Sequence, residues 1–452
     1  MKKAVMYGAG SIGRGFMAEL FDRSGYETIF IDTNAERIRL LQEEGEYPLR
    51  FVSNDREHEI RIRHVSGICI GSGQTEEDRT GWEKAAEAIA QADLMATSVG
   101  KAALPQIAPC IAAGIRKRRE QKTGQPLNII VCENMIHANR YLRECIRKEL
   151  EKTAPPQRDG LLSYFEEQVG TVETCIGRNV PVMTPALCGD HPLRVLAEEY
   201  HLLPVEAAAF RGDIPKLYGM KPVPSFEYYI REKLFVYNMA HAVIGFLGTL
   251  RGIYRLCDAV EEPDIRYVAD KALTEIARGM AKEYDQPLEA LLEYGDGLLL
   301  RFHNKKLNIQ VPRLAQDPIR KLEPEDRLVG AARLCEKHGV FPAFIAVGIA
   351  AGYCCGPEMG RNGRITEYAG WPRDPEAEEL QERIRNSGIR QVLTKVSQLQ
   401  PEEPLYETVL YLYAFFREGK SLWEIILEAA KLAVPAACKQ DPGEGGEEKE
   451  EA

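Results

Sequence analysis

Residues 2–32, KKAVMYGAGSIGRGFMAELFDRSGYETIFID, constrain the fold of this chain more than any other stretch. An apolar run, Ala4-Val5-Met6-Tyr7, turns through Gly8-Ala9-Gly10-Ser11-Ile12-Gly13 into a helical pattern that repeats Phe16, Met17, Leu20 and Phe21 on one face. A second apolar run, Thr28-Ile29-Phe30-Ile31, ends on Asp32. Strand, glycine turn, helix, strand and acid in that order predict a dinucleotide-binding fold. In that fold Gly8 permits the tight turn, Gly10 lets the backbone approach a pyrophosphate, and Gly13 lets helix and strand pack closely. The helix aims free N–H groups and its positive dipole end at the phosphates. Gly8, Ala9, Gly10, Ser11, Ile12, Gly13 and Arg14 are therefore expected on the cofactor. Asp32 can accept both hydroxyls of a ribose but repels a 2′-phosphate, which favours NAD(H) over NADP(H). Arg37 is the nearest basic residue able to blur that choice.

A chain of 452 residues exceeds what one core usually serves, so two domains are expected. The net charge of −10 argues against a general nucleic-acid binder and requires any anionic ligand to meet a local basic pocket. No apolar run approaches the ~18 residues of a membrane span, and the N-terminus reads as a strand rather than a leader, so a cytoplasmic protein without membrane attachment is expected. Its eleven cysteines are scattered without a CxxC, with one adjacent pair, Cys354-Cys355. That spacing predicts reduced thiols and no metal centre.

Along the chain, the pattern predicts a helix over 34–44, β-like segments over 47–53 and 59–70, a helix over 83–90, a buried strand over 92–100, a helix over 104–120 and a strand over 127–132. Ligands of open α/β sheets lie outside the carboxyl ends of the strands, which makes Ser98, Val99, Gly100, Glu133 and Asn134 candidates to line the nicotinamide end. Asn134 is equally placed to cap a helix over 136–150. From Leu203 strand-like runs largely vanish and helical patterns take over, at 225–250, 264–284, 287–304, 324–338, 342–352, 376–396 and 407–433. The expected architecture is an α/β Rossmann-type domain over 1–202, a mainly α-helical substrate domain over 203–438, and a disordered acidic tail over 439–452.

Within 226–248, FEYYIREKLFVYNMAHAVIGFLG, the polar residues Lys233, Asn238 and His241 stand among apolar neighbours. At about 100° per residue they fall at roughly 0°, 140° and 80°, on one side of a helix buried over most of its girth. Buried polar groups need partners, and a substrate alcohol can supply them. Desolvation lowers the pKa of a lysine, so a buried Lys233 can take a proton from a hydroxyl while the adjacent carbon gives up its hydride. Asn238 then donates to the reacting oxygen and His241 orients it.

The string Tyr7-Gly8-Ala9-Gly10-Ser11-Ile12-Gly13-Arg14-Gly15-Phe16 resembles the start of the mannitol-1-phosphate 5-dehydrogenases. The spacing of Lys233, Asn238 and His241 is similar to the Lys-x4-Asn-x2-His motif of the wider polyol-specific long-chain dehydrogenases. Glu133-Asn134-Met135, the string RFHNKKLNIQVPRLAQDPIRKLEPEDRL over 301–328 and the stretch 376–411 also resemble that family. The resemblance implies a metal-independent, NAD(H)-dependent interconversion of mannitol 1-phosphate and fructose 6-phosphate, with Lys233 as general acid/base. Two rival readings remain: a reductase of an unphosphorylated ketose or keto-uronate, and a non-catalytic NAD-binding sensor, which has no use for Lys233.

A phosphate would need cations. Residues 301–327 hold seven Lys or Arg against four Asp or Glu, so Arg313, Arg320, Lys321 and Arg327 are candidates to bind it. Asp317, Glu325 and Asp326 nearby leave structural salt bridges as an equal reading for each. Oligomeric state has no signal in the sequence.

Overall fold

The computed structural model describes residues 1–71, 75–356 and 373–433. The tail expected over 439–452 lies outside the described residues. Two compact units emerge, one of Met1–Ile230 with Lys305–Leu307, the other of Arg231–Asn304 with the chain from Asn308 on. The expected boundary after residue 202 thus falls inside the first unit.

The strands of the first unit are β1 (Lys2–Tyr7), β2 (Tyr26–Asp32), β3 (Tyr47–Val52), β4 (Glu57–Ile62), β5 (Val65–Cys69), β6 (Leu94–Thr97), β7 (Leu127–Val131), β8 (Val169–Glu173), β9 (Val195–Ala197), β10 (Leu203–Glu206) and β11 (Met220–Val223). Six of them form a parallel sheet in the order β5-β2-β1-β6-β7-β8. Strand order reverses at β1 and β6, which opens a crevice at their carboxyl ends. Along β1, Ala4 and Met6 enter one apolar cluster and Val5 and Tyr7 the other, so both faces of the sheet are covered. This is why the strand reads as an unbroken apolar run.

Several expected elements differ. The segment 59–70 is two strands in different sheets: β4 pairs with β3 beside β9, and β5 joins the main sheet. The chain breaks between them at His64, whose φ of 54° is left-handed. The helix expected over 83–90 spans Glu76–Gln91, because Thr75 and Asp78 form a reciprocal cap that stops fraying about two turns earlier. Beyond Leu203, β10 and β11 still pair in parallel; they are four residues each and carry Pro204 and Pro222, which hides them from a pattern search.

Helices build the second unit around Ala343–Cys354, every residue of which is buried. That helix packs on Met239–Leu250, Pro263–Tyr284, Pro404–Arg417 and Leu422–Ala433. Gly348 and Gly352 let it approach closely, since a Cβ would stand 2.6 Å from Val243 and 2.8 Å from Phe246. The helix expected over 407–433 is two helices, parted at Gly419 with φ 75°. Pro375–Val396 likewise kinks at Gly388, φ 76°. Among the described residues one helix, Glu227–Leu250, is long and apolar enough to cross a membrane, and 83 % of its apolar window is buried in the protein. Lys233, Asn238 and His241 interrupt it, so no unbroken apolar run shows in the sequence.

Candidate functional site

The glycine turn has the geometry its residues predict. Gly8 adopts φ 102°, and a Cβ there would lie 2.2 Å from the carbonyl oxygen of Ser98. At Gly13 a Cβ would lie 2.1 Å from the carbonyl oxygen of Gly8. Gly10 has nothing within 4 Å, so the turn leaves open space at the position where a pyrophosphate needs it. Asp32 Oδ2 accepts the Ala9 amide at 2.6 Å and Oδ1 the Asn34 amide at 2.9 Å, with Arg37 3.8 Å away. Each carboxylate oxygen keeps a lone pair for a ribose hydroxyl. An open cradle, a helix N-terminus and a positioned carboxylate together fit a dinucleotide.

The side chains of three other expected cofactor residues are engaged within the protein. Ser11 Oγ donates to the Pro181 carbonyl at 3.1 Å, and Ile12 packs against the core. Arg14 is buried: Nε donates to the Ala9 carbonyl at 2.8 Å and Nη1 to that of Leu193 at 2.7 Å. Its side chain braces the turn from behind instead of offering itself to phosphate. Across the switch point, Glu133 accepts the amides of Val99 at 2.9 Å and Gly100 at 2.8 Å. Ser98 is half-buried, and Asn134 is exposed beside the loop. Asn134 caps no helix; Ala138–Glu151 has His137 at its N-cap.

In the second unit, Glu232–Asn238 is wound as a π-helix running into Met239–Leu250. A π-turn bonds residue i to i+5 and so advances roughly 80° per residue. Five such steps and three α-helical ones put Lys233, Asn238 and His241 at roughly 0°, 40° and −20°, an arc of about 60° in place of the ~140° of a regular helix. The π-turn therefore gathers the three polar side chains more tightly than their spacing suggests. Lys233 and Asn238 are half-buried, so the lysine is less buried than expected; His241 is 9 % exposed.

His241 stacks on Phe302, ring centroids 4.1 Å apart, and meets the edge of Tyr237 at 4.5 Å. Its Nε2 is buried with no partner among the described residues. Burial pushes its pKa down to about 3, aided by the positive charges of Arg301, Arg327, Lys321 and Arg313. The positive charges of these four residues therefore act together on the imidazole. Lys321 is buried and donates to the Gln316 carbonyl; burial, then Arg327 and Arg320, push its amine down to about 7 against the pull of Asp317 and Asp374. Arg327 is buried with Nε 2.7 Å from Asp326. Arg320 instead pairs with Asp317 at 3.1 Å and Asp326 at 3.7 Å, and Arg313 is exposed. Arg301, which is not among the expected phosphate residues, places its guanidinium 5.5 Å from the Tyr237 ring centre. Among the described residues no three His, Cys, Asp or Glu come together as a metal would require.

Residues 2–219 match the mannitol dehydrogenase Rossmann domain and residues 225–414 the mannitol dehydrogenase C-terminal domain. The chain is 31 % identical over 420 residues to a mannitol-1-phosphate 5-dehydrogenase of Caldanaerobacter subterraneus subsp. tengcongensis, covering 93 % of this chain and 100 % of the relative. It is 35 % identical over 407 residues to one of Bacillus subtilis, covering 90 % and 98 %. Two solved structures share the fold. A substrate-free D-sorbitol dehydrogenase superposes with a TM-score of 0.73 at 18 % identity, over 96 % of this chain and 94 % of that one. Mannitol 2-dehydrogenase of Pseudomonas fluorescens, in a ternary complex with NAD and D-mannitol, does so with a TM-score of 0.70 at 15 % identity, over 95 % and 94 %. Both halves of the chain thus belong to the mannitol dehydrogenase family.

Proposed function

We propose that this chain is an NAD(H)-dependent oxidoreductase that interconverts mannitol 1-phosphate and fructose 6-phosphate, with Lys233 as the general acid/base. The observation that carries the proposal is the π-turn bearing Lys233, Asn238 and His241, with the positive charges of Arg301, Lys321 and Arg327 acting on the His241 imidazole. Full-length relatives named mannitol-1-phosphate 5-dehydrogenase support the substrate.

NAD, when bound, supplies the acceptor for the hydride of the alcohol carbon, and its binding is assigned to Gly8–Arg14, Asp32, Ser98–Gly100 and Asn134. The remaining chemistry belongs to side chains. With a pKa near 3, His241 is neutral at working pH and too weak a base to hold the hydroxyl proton. Asn238 carries no exchangeable charge at all. Of the three, Lys233 is left to take the proton at Nζ in oxidation and to return it to the forming alkoxide in reduction. The unpartnered Nε2 of His241 and the Asn238 amide orient and polarise the same oxygen. Arg301, Lys321 and Arg327 hold the phosphate, and because the cluster is partly desolvated its charges act with little screening.

A cytoplasmic location is supported by the ten described cysteines, none of which forms a disulfide with another described residue. The test is NADH oxidation with fructose 6-phosphate, fructose and fructuronate side by side. Turnover with fructose 6-phosphate alone is expected; turnover restricted to an unphosphorylated substrate overturns the phosphate assignment.

A further inference from the structure

Three carboxylates stand at the carboxyl ends of parallel strands, and each takes a backbone amide from the loop of a neighbouring strand. Asp32, ending β2, holds Ala9 after β1. Glu173, ending β8, holds His137 after β7, at 2.5 Å. Glu133, just past β7, holds two successive amides after β6, one on each oxygen: Val99 on Oε1 at 2.9 Å and Gly100 on Oε2 at 2.8 Å.

The third contact differs from the others in its consequences. Glu133 is 8 % exposed, so the carboxylate end of both hydrogen bonds is shielded from competing water, while Gly100 itself is exposed. Two consecutive N–H groups aimed at one anion fix the peptide plane between them. Gly100 follows with φ 88°, a conformation that leaves the loop free to swing if it is not tied down. The same loop begins at Ser98, whose carbonyl oxygen sits 2.2 Å from the place a Gly8 Cβ would occupy. The β6 loop is thereby held between Glu133 on one side and the glycine turn on the other. In the sheet order β6 and β7 lie on the opposite side of β1 from β2 and Asp32. A dinucleotide laid across that reversal has its adenosine half over β2 and its nicotinamide half over β6 and β7.

We infer that Glu133 is a positioning residue for the nicotinamide half of the cofactor: it holds the 98–100 loop where the reactive ring must rest, without touching the adenosine half. The inference rests on the reading that these strand ends form the NAD cleft.

Glu133→Gln replaces one acceptor by an amino group that faces a backbone N–H. The affinities of ADP-ribose and of NADH, measured by calorimetry, separate the halves. In Glu133→Gln, ADP-ribose should bind within about twofold of the parent chain and NADH about tenfold more weakly, the loss expected when one of two charge-assisted hydrogen bonds goes. Glu133→Asp keeps the charge with a shorter reach; it should show the same split to a smaller degree and covers the case in which the glutamine variant does not fold. An equal loss for both ligands, or no loss for either, overturns the inference. Asp32→Ala is the control for the cleft itself. It should weaken both ligands, and if it weakens neither, the reading of the cleft fails independently of Glu133.

Discussion

Phe302 lies flat against His241, ring centroids 4.1 Å apart and planes 26° from parallel. A buried imidazole under the influence of several cations has two reasons to stay neutral, and this contact distinguishes them. Burial is the larger, so Phe302→Ala, which admits water to one ring face, should raise the His241 pKa from about 3 towards its ordinary 6.5. The ring protons of His241 followed by NMR through a pH titration report it. An unmoved value would give the work to Arg301, Arg327 and Lys321 instead.

Lys233→Ala tests the proton carrier. Turnover should fall about 10²–10⁴-fold, the usual worth of a positioned acid/base, while NADH affinity changes by less than about twofold. Stopped-flow reduction and NADH fluorescence titration give the two numbers. Full turnover in the variant removes the lysine from the chemistry.

Lys321 gives the substrate site a pH dependence. Its amine is held to about 7, so above that pH the cluster loses a positive charge. The KM for fructose 6-phosphate should therefore rise as pH passes from 6.5 to 8.5. In Lys321→Arg, where the charge does not titrate, the rise should vanish. A profile identical in parent and variant would show that Lys321 does not hold the phosphate.

Glu275 links stability to pH. Its buried carboxyl accepts the amides of Phe344 at 2.9 Å and Ile345 at 3.0 Å at the start of the central helix Ala343–Cys354. Those amides favour the anion, yet burial wins and lifts the pKa from 4.5 to about 8. Between these values the unfolded chain has released a proton that the folded chain keeps. Stability from this group is complete below about pH 4.5 and drains away as pH rises towards 8, at up to ~1.4 kcal/mol per pH unit. Glu275→Gln removes the titration, so urea unfolding at pH 5, 6.5 and 8 should show parent and variant converging in stability or reversing order as pH rises. Parallel curves would mean the carboxyl is ionised throughout.

The sequence by itself determined the dinucleotide turn, because Gly8, Gly10, Gly13 and Asp32 act through steric and charge rules that hold within one strand-turn-helix-strand unit. It also determined the buried strands β6 and β7, whose apolar runs have no other stable use, and it marked Lys233, Asn238 and His241 as polar groups on an apolar helix. What it misjudged was local but signalled: the Thr75–Asp78 cap, the break at His64 and the stop at Gly419 each depend on one residue's side chain or left-handed backbone.

Only tertiary structure decided the rest. The π-turn that narrows the arc from Lys233 to His241 widens one helical turn by a single residue, which periodicity at 3.6 residues per turn does not register. Which cations face His241 depends on helices 60 and more residues further along, so composition counted Arg301 and Arg320 alike while packing turned one towards the ring and paired the other with Asp317 and Asp326. Glu133 took its role from amides 33 and 34 residues away on a neighbouring strand. Motifs bound by steric rules are legible in one dimension, whereas electrostatic and hydrogen-bonded partnerships are made by whichever groups the fold brings within a few ångströms.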